Sequence, residues 1–161
     1  MYSDEPVSAE QQQSWFSHLQ GDPTRRYFVF LQDGRPIGTL YFTQITPHSC
    51  EWGCYIGEED VWPGSGLLLE LAALDYAFDV LSVDQLNADV LAFNTAPQKI
   101  HALFEYEMVG RRHNIVHRNG ESFDAVQYRH TKANWLAQRG AVMLRLPGRI
   151  REAAALIRFE N

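Results

Sequence analysis

Apolar residues along this chain recur at two spacings. In "AEQQQSWFSHL", residues 9–19, Trp15, Phe16 and Leu19 fall on one face at helical spacing, and Gly21 marks the end of that helix. The stretch "RRYFVFLQDGRPIGTLYFTQI" holds two β-rich runs joined by Asp33-Gly34, a dipeptide that takes positive φ easily and so suits a hairpin. A third strand is expected in "SCEWGCYIG", then a turn "VWPGSG" and a helix to Leu81 carrying Leu67, Leu68, Leu69, Leu71, Ala72 and Leu74. "VDQLNADVLAF" reads as a strand and "APQKIHALFEY" as a second helix. "EMVGRRHNIVHRNGESFDAVQYRH" reads as a hairpin turning at Asn119-Gly120, and "KANWLAQR" as a closing helix. The expected fold is a mixed α/β domain over residues 1–138, built on a mixed sheet flanked by helices.

Residues 139–161 form a basic carboxy-terminal tail. Arg139, Arg145, Arg149, Arg151 and Arg158 against Glu152 and Glu160 give it a charge of about +3 and leave about −9 on the body, from a total of −6. Ile150, Ala153, Ala154 and Ile157 share one face of an amphipathic helix beyond Pro147-Gly148. Two readings are open for it: a helix docked on its own domain or on a partner subunit, which admits a homodimer, and a membrane-surface or protein-binding tail.

The chain has 161 residues, 45% of them apolar, enough for one domain with a sizeable core. Its negative charge argues against a nucleic acid or anionic membrane as partner, since both demand clustered Lys and Arg. Only Cys50 and Cys54 occur, four apart on an expected strand and too distant along an extended chain to bridge, which points to a reducing compartment. The amino-terminal stretch lacks a basic start with an apolar run, and no segment approaches the roughly 20 apolar residues of a membrane span. The expectation is a cytoplasmic protein.

Glycines at the start of a helix let an anion approach backbone N–H groups, and Gly64, Ser65 and Gly66 provide that arrangement. Alone, the pattern is equally a tight turn into a core helix. Its context is more specific, because the turn follows a strand, opens a helix and precedes a strand ending in Asn94. Here the chain resembles the GNAT superfamily of acyl-CoA-dependent N-acyltransferases, whose hallmark is Gln/Arg-x-x-Gly-x-Gly/Ala at this place. Gly64 and Gly66 match, Val61 replaces the Gln or Arg, and Pro63 offers no N–H. Downstream, "NTAPQKIHALFEY" aligns without gaps to the superfamily's Asn-x-x-Ala and Leu-Tyr-Glu-Lys-Leu-Gly-Phe-like stretch. Asn94 is kept, Pro97 stands for Ala, His101 for Tyr, and Glu105-Tyr106 for Gly-Phe. Within the superfamily, "YFVFLQDGRPIGTLYFTQITPHSCEWGCYIG" is similar to the branch acetylating amino-sugar nucleotides in pseudaminic acid synthesis. The superfamily's usual first strand and first helix have no counterpart in the pattern.

The resemblance implies acetyl-CoA as co-substrate. Its pyrophosphate would rest on the amides of Trp62, Gly64, Ser65, Gly66 and Leu67, and its pantetheine arm on the main chain of Cys54, Tyr55 and Ile56 and on Asn94. Asn94 is equally placed to cap a helix, and Lys99 is either a phosphate contact or a solvated helix lysine. Acetyl transfer to an amine needs a base for the ammonium and an acid for the leaving thiol. Strand alternation puts Glu51, Gly53 and Tyr55 on one face and Cys50, Trp52, Cys54 and Ile56 on the other. Glu51 is the candidate base, against the alternative of an exposed strand carboxylate. His101 is the candidate acid, against a packing histidine. Neither cysteine is expected to carry the acetyl group, so transfer is direct.

His48, His113, His117 and His130 show no metal-ligand spacing, and no metal is expected. Gly-Lys-Ser/Thr, a full G-x-G-x-x-G and G-x-S-x-G are all absent, which sets aside P-loop, Rossmann and serine-hydrolase readings. The first-choice function is acetyl-CoA-dependent N-acetylation of a small-molecule amine, the 4-amino group of a UDP-amino-sugar, with Arg111, Arg112 and Arg118 as its basic patch. The alternatives are a protein or peptide amino-terminal acetyltransferase and a non-catalytic binding module.

Overall fold

Asp33 and Gly34 take φ of 53° and 76°, the conformation of a tight two-residue turn. In the computed structural model, which describes residues 7–19, 21–118 and 120–160, they join β1 (Arg26–Gln32) to β2 (Arg35–Thr43). A third antiparallel strand, β3 (Ser49–Ile56), follows. After the glycine turn come α2 (Ser65–Asp75), a π-helical turn (Tyr76–Val80) and β4 (Gln85–Leu91). Then come α3 (Thr95–Leu103) and the hairpin of β5 (Glu107–Arg118) and β6 (Glu121–Thr131). Asn119 of its expected turn lies outside the described residues; Gly120 takes φ 78°. The strands order as β1-β2-β3-β4-β6-β5, with β3 and β4 the parallel pair.

Pleating sorts the sheet into two faces. Phe28, Phe42, Trp52, Leu86, Ala88, Val90, Val126 and Tyr128 point to one side, where they pack with Leu68, Leu69, Leu71, Ala72 and Leu74 of α2. That helix is apolar nearly all round, as a helix enclosed in a core should be. The other face carries α1 (Ala9–Leu19), which has no buried residue and touches the sheet through Trp15, edge-on to Tyr27 at 5.0 Å. Among the described residues no strand precedes α1, and β1 forms one edge of the sheet. The mixed α/β architecture follows the sequence expectation.

The closing helix α4 (Lys132–Arg145) extends well past "KANWLAQR" and runs without a break through residues 138 and 139. Thr131 caps it by accepting from Asn134 N–H, and buried Trp135 donates to Asp75 at 3.2 Å. The tail then turns back at Pro147 into α5 (Gly148–Ala154), packed on α2. Ile150 is fully buried, Ala153, Ala154 and Ile157 pack against the core, and Phe159 meets Phe28 and Tyr76. The apolar face of the tail is therefore spent on its own domain. Among the described residues no helix is long and apolar enough to cross a membrane.

Candidate active site

The parallel pairing of β3 and β4 lasts for three residues only, Ser49–Glu51 against Gln85–Asn87. Beyond it β3 stays with β2 as far as Ile56, while β4 stays with β6 as far as Leu91. The two strands separate into a fork. From Trp52 onward the β4-facing edge of β3 has no strand partner, leaving main-chain groups of Cys54, Tyr55 and Ile56 open to an amide-bearing ligand. The Cys54 thiol reaches the surface but is closely ringed by protein, and burial with the nearby Glu70 pushes it up to about 12. It is a thiol at neutral pH and a poor nucleophile.

One arm of the fork leads to the glycine turn. Gly64 takes φ 102° and ψ 5° at the start of α2, a conformation that disfavours a side chain. A Cβ there would also lie 2.6 Å from Cδ1 of Ile150, so α5 is seated directly beneath the turn. The Ser65 N–H donates to the Trp62 carbonyl and the Leu67 N–H to the Gly64 carbonyl. Of the five expected cradle amides, Trp62, Gly64 and Gly66 have N–H groups without a backbone acceptor among the described residues. The Ser65 hydroxyl is buried, shared between the Trp62 carbonyl at 2.8 Å and Gln32 Oε1 at 2.9 Å. Arg149 donates from Nη2 to the Pro63 carbonyl at 2.9 Å. With no acidic residue in its first turn, α2 presents free amides and its positive end together, which fits a pyrophosphate. β4 ends at Leu91, short of the expected Asn94, which is exposed at the N-cap of α3, makes no side-chain cap bond and keeps its amide uncommitted. Lys99 is exposed on α3.

Glu51 stands at the root of the fork, on the face that carries α1. It is half-buried, and burial first and the Asp89 charge second raise its pKa, opposed by Arg112 and a hydrogen bond from Gln44. Such a carboxylate is a better base than a free one. Beside it the Tyr41 ring covers Gly53, where a Cβ would run into the Tyr41 hydroxyl oxygen. Tyr41 stacks on Tyr27 at 5.3 Å and Tyr27 meets Trp15, giving this side an aromatic wall. Arg112 pairs with Asp89 at 2.8 Å and Arg111 lies 3.7 Å from Asp124. Both guanidiniums are therefore matched by carboxylates, and the Arg118 side chain lies outside the described residues.

His101 lies on the opposite face and is buried, 3% exposed. Its ring stacks on Tyr106 at 4.5 Å, meets Tyr128 at 4.7 Å and tilts against Trp52 at 5.9 Å. Trp52 belongs to β3, and Tyr128 belongs to β6, where it pairs with Ala88 of β4, so the imidazole touches one arm of the fork directly and packs on the strand beside the other. Burial pulls it down to about 4. A freely protonated imidazole at neutral pH is thus not what the fold provides.

The neighbour of His101 is Glu70, whose Oε2 lies 3.5 Å from Nε2. The sequence pattern assigns no site role to Glu70, Tyr106, Trp52, Arg149 or Ile150. A signal for Glu70 was present: one carboxylate inside "LLLELAAL", in a helix otherwise apolar all round, must be buried. Glu105, in the place of the superfamily's glycine, takes φ 62°, and Arg145 at the end of α4 holds its carboxylate at 2.6 Å. The conformation a glycine would favour is kept without the glycine.

Comparison with known proteins gives a consistent picture. The acetyltransferase (GNAT) domain family matches residues 1–104. Two curated proteins called Acetyltransferase PseH, from strains of Campylobacter jejuni, are 33% and 32% identical to the chain over 95 residues. Each match covers 59% of this chain and 59% of the relative, so the chain spans less than two thirds of the relatives' length. Among solved structures, Campylobacter jejuni N-acetyltransferase PseH in complex with acetyl coenzyme A matches with TM-score 0.63 and 24% identity, over 76% of this chain and 78% of that one. Spermidine N-acetyltransferase from Vibrio cholerae, in complex with CoA and spermine, matches with TM-score 0.78 and 20% identity, over 84% and 82%. At these identities the structural matches speak for the fold.

Proposed function

Because the chain belongs to the acetyltransferase (GNAT) domain family, we propose that it transfers the acetyl group of acetyl-CoA to a primary amine, the first-choice acceptor being the amino group of a UDP-amino-sugar. The observation carrying this reading is the fork, with a carboxylate of raised pKa on one face of its root and an imidazole on the other. Acetyl-CoA supplies an activated acyl carbon and a thiol leaving group. The Trp62, Gly64 and Gly66 amides hold its pyrophosphate, the open edge of β3 at Cys54, Tyr55 and Ile56 aligns its amide arm, and Asn94 steadies that arm from the start of α3. Ser65 and Leu67 shape the cradle, since their amides are already engaged.

Glu51 takes the proton of the incoming ammonium, and the amine attacks from the face that carries α1. Tyr27, Tyr41 and Trp15 line this approach and would cover an apolar or planar part of the acceptor. His101, across the fork, faces the departing sulfur. The likeness to PseH supports a sugar amine. A peptide amino terminus is the second reading, favoured by the matching of Arg111 and Arg112 with carboxylates, which leaves this side without a surplus of positive charge for a nucleotide.

Calorimetric titration with acetyl-CoA followed by an acceptor screen tests the proposal. Wild type should bind in the micromolar range and acetylate one acceptor class. Glu51→Gln should keep the affinity while losing roughly 10²-fold or more in kcat. Binding without turnover on any amine would leave a cofactor-binding module instead.

A further inference from the structure

Glu70 occupies a place that packing alone would give to leucine. Its side chain is 3% exposed, and the one ionisable partner within ion-pair distance is His101. No Lys or Arg among the described residues approaches it, so as a carboxylate it would be a buried charge without a counter-ion. Around it Glu70 Oε1, His101 Nδ1, Tyr106 Oη and Trp52 Nε1 are all buried without a hydrogen bond of good geometry, although Tyr106 lies close enough to both Glu70 and Trp52 to interact with each. Polar atoms so loosely paired, with His101 Nδ1 among them, are costly for a purely structural core. The spot is the root of the fork, between Trp52 on β3 and Tyr128 beside β4, and the Cys54 thiol on the fork's open stretch feels the Glu70 charge. This cluster thus borders the place where the thioester sulfur would lie.

We propose that Glu70 is the positioning residue behind His101 and holds the proton that His101 delivers to the departing thiolate. The inference rests on the reading of His101 as the donor at the fork. As the carbon–sulfur bond breaks, its electron pair stays on sulfur, which takes the proton of His101 Nδ1. His101 Nε2 takes the proton of the Glu70 carboxyl, so the imidazole remains neutral and Glu70 becomes the carboxylate. The amine's proton leaves separately through Glu51 to water. After CoA departs, Glu70 regains a proton from water through the emptied fork and the ring returns to its first tautomer. The sum is amine and thioester giving amide and thiol.

The electrostatics agree with this placement. Burial pushes Glu70 up to about 8 and pulls His101 down to about 4, so at neutral pH the pair's proton rests on the carboxyl. The other titratable groups facing the pair are Tyr106, Tyr128, Cys50 and Cys54, all raised chiefly by burial and all neutral there. A thiol has a pKa of about 8.5, so the carboxyl proton passes to the thiolate with little free-energy change.

Two measurements test the proposal. Infrared difference spectra of wild type against Glu70→Gln should show the band of a protonated carboxyl at neutral pH, titrating away near pH 8; this needs no acceptor. In steady-state assays, wild-type kcat should fall above about pH 8, where the carboxyl is ionised. Glu70→Gln should lose roughly tenfold to a hundredfold in kcat and lack that alkaline fall, with KM for acetyl-CoA within about twofold. Glu70→Asp should restore part of the fall, and His101→Gln should erase it while keeping the infrared band. The double variant should be no slower than His101→Gln, because the two residues act as one unit. No carboxyl band, or an alkaline fall that persists in Glu70→Gln or His101→Gln, overturns the proposal. If wild type fails to acetylate the UDP-amino-sugar, the acceptor reading has failed; the same profiles are then taken with a peptide amine, and the infrared result stands by itself.

Discussion

Replacing Gly64 with alanine should be costly for two separable reasons. At φ 102° an L-residue carries a backbone penalty of about 1–2 kcal/mol. The new Cβ would also lie 2.6 Å from Ile150 Cδ1 and 3.2 Å from its Cγ1, and relieving such an overlap in a packed core costs about 1–3 kcal/mol. The sum, about 2–5 kcal/mol, is a large part of the roughly 5–15 kcal/mol that holds a domain together. Ile150→Val removes the offending Cδ1 and by itself costs about 0.5–1.5 kcal/mol. The double variant should therefore be more stable than the sum of the single effects by about 1 kcal/mol or more, with the backbone penalty remaining. Urea unfolding of all four proteins measures the cycle. A Gly64→Ala variant within about 0.5 kcal/mol of wild type, or a cycle with no coupling, would refute the seating of α5 beneath the turn.

The buried pair also sets a pH dependence of stability. Glu70, raised from 4.5 to about 8, contributes stability fully below pH 4.5 that is lost as pH rises toward 8, whereas His101, lowered from 6.5 to about 4, contributes above 6.5 and loses it as pH falls. Their slopes cancel between pH 4.5 and 6.5, so this pair should give a plateau there and a loss of about 2 kcal/mol from 6.5 to 8, absent in Glu70→Gln; unfolding midpoints across that range check it. Arg149→Ala frees the Pro63 carbonyl and should weaken acetyl-CoA binding by roughly tenfold while leaving acetyl-pantetheine, which lacks the pyrophosphate, unaffected; equal loss for both ligands in calorimetry would contradict it.

Local rules made most of the fold legible. Asp33-Gly34 placed the first hairpin, helical spacing bounded α1 at the residues observed, and of the two readings open for the apolar face at Ile150, Ala153, Ala154 and Ile157 the packing supports the docked one. Alternation around Glu51 put it across the sheet from Trp52, as observed. The length of α4 was less legible, because Gly140 reads as a helix end and it took the packing of Trp135 and Val142 to carry the helix onward. The protonation of His101 was beyond the pattern altogether. Helical spacing shows what shares a turn of α3, but the ring's state is decided by Trp52, Tyr106, Tyr128 and Glu70, which come from four other segments. Likewise, counting arginines suggested a patch at Arg111 and Arg112, while only the folded sheet brings Asp124 and Asp89 within ion-pair distance of them.

The carboxy-terminal segment contacts the glycine turn twice, through Ile150 beneath Gly64 and Arg149 on the Pro63 carbonyl. Two equilibria that share a contact are linked, and linkage is reciprocal: whatever factor the seated segment adds to ligand affinity, the ligand must return to the seating. The last residues of the chain thereby become a reporter of occupancy. A protease that clips only the unseated segment should cut more slowly in saturating ligand by that same factor. Whatever grips those residues from outside, in turn, would hold a thermodynamic lever on ligand binding at a turn it never touches.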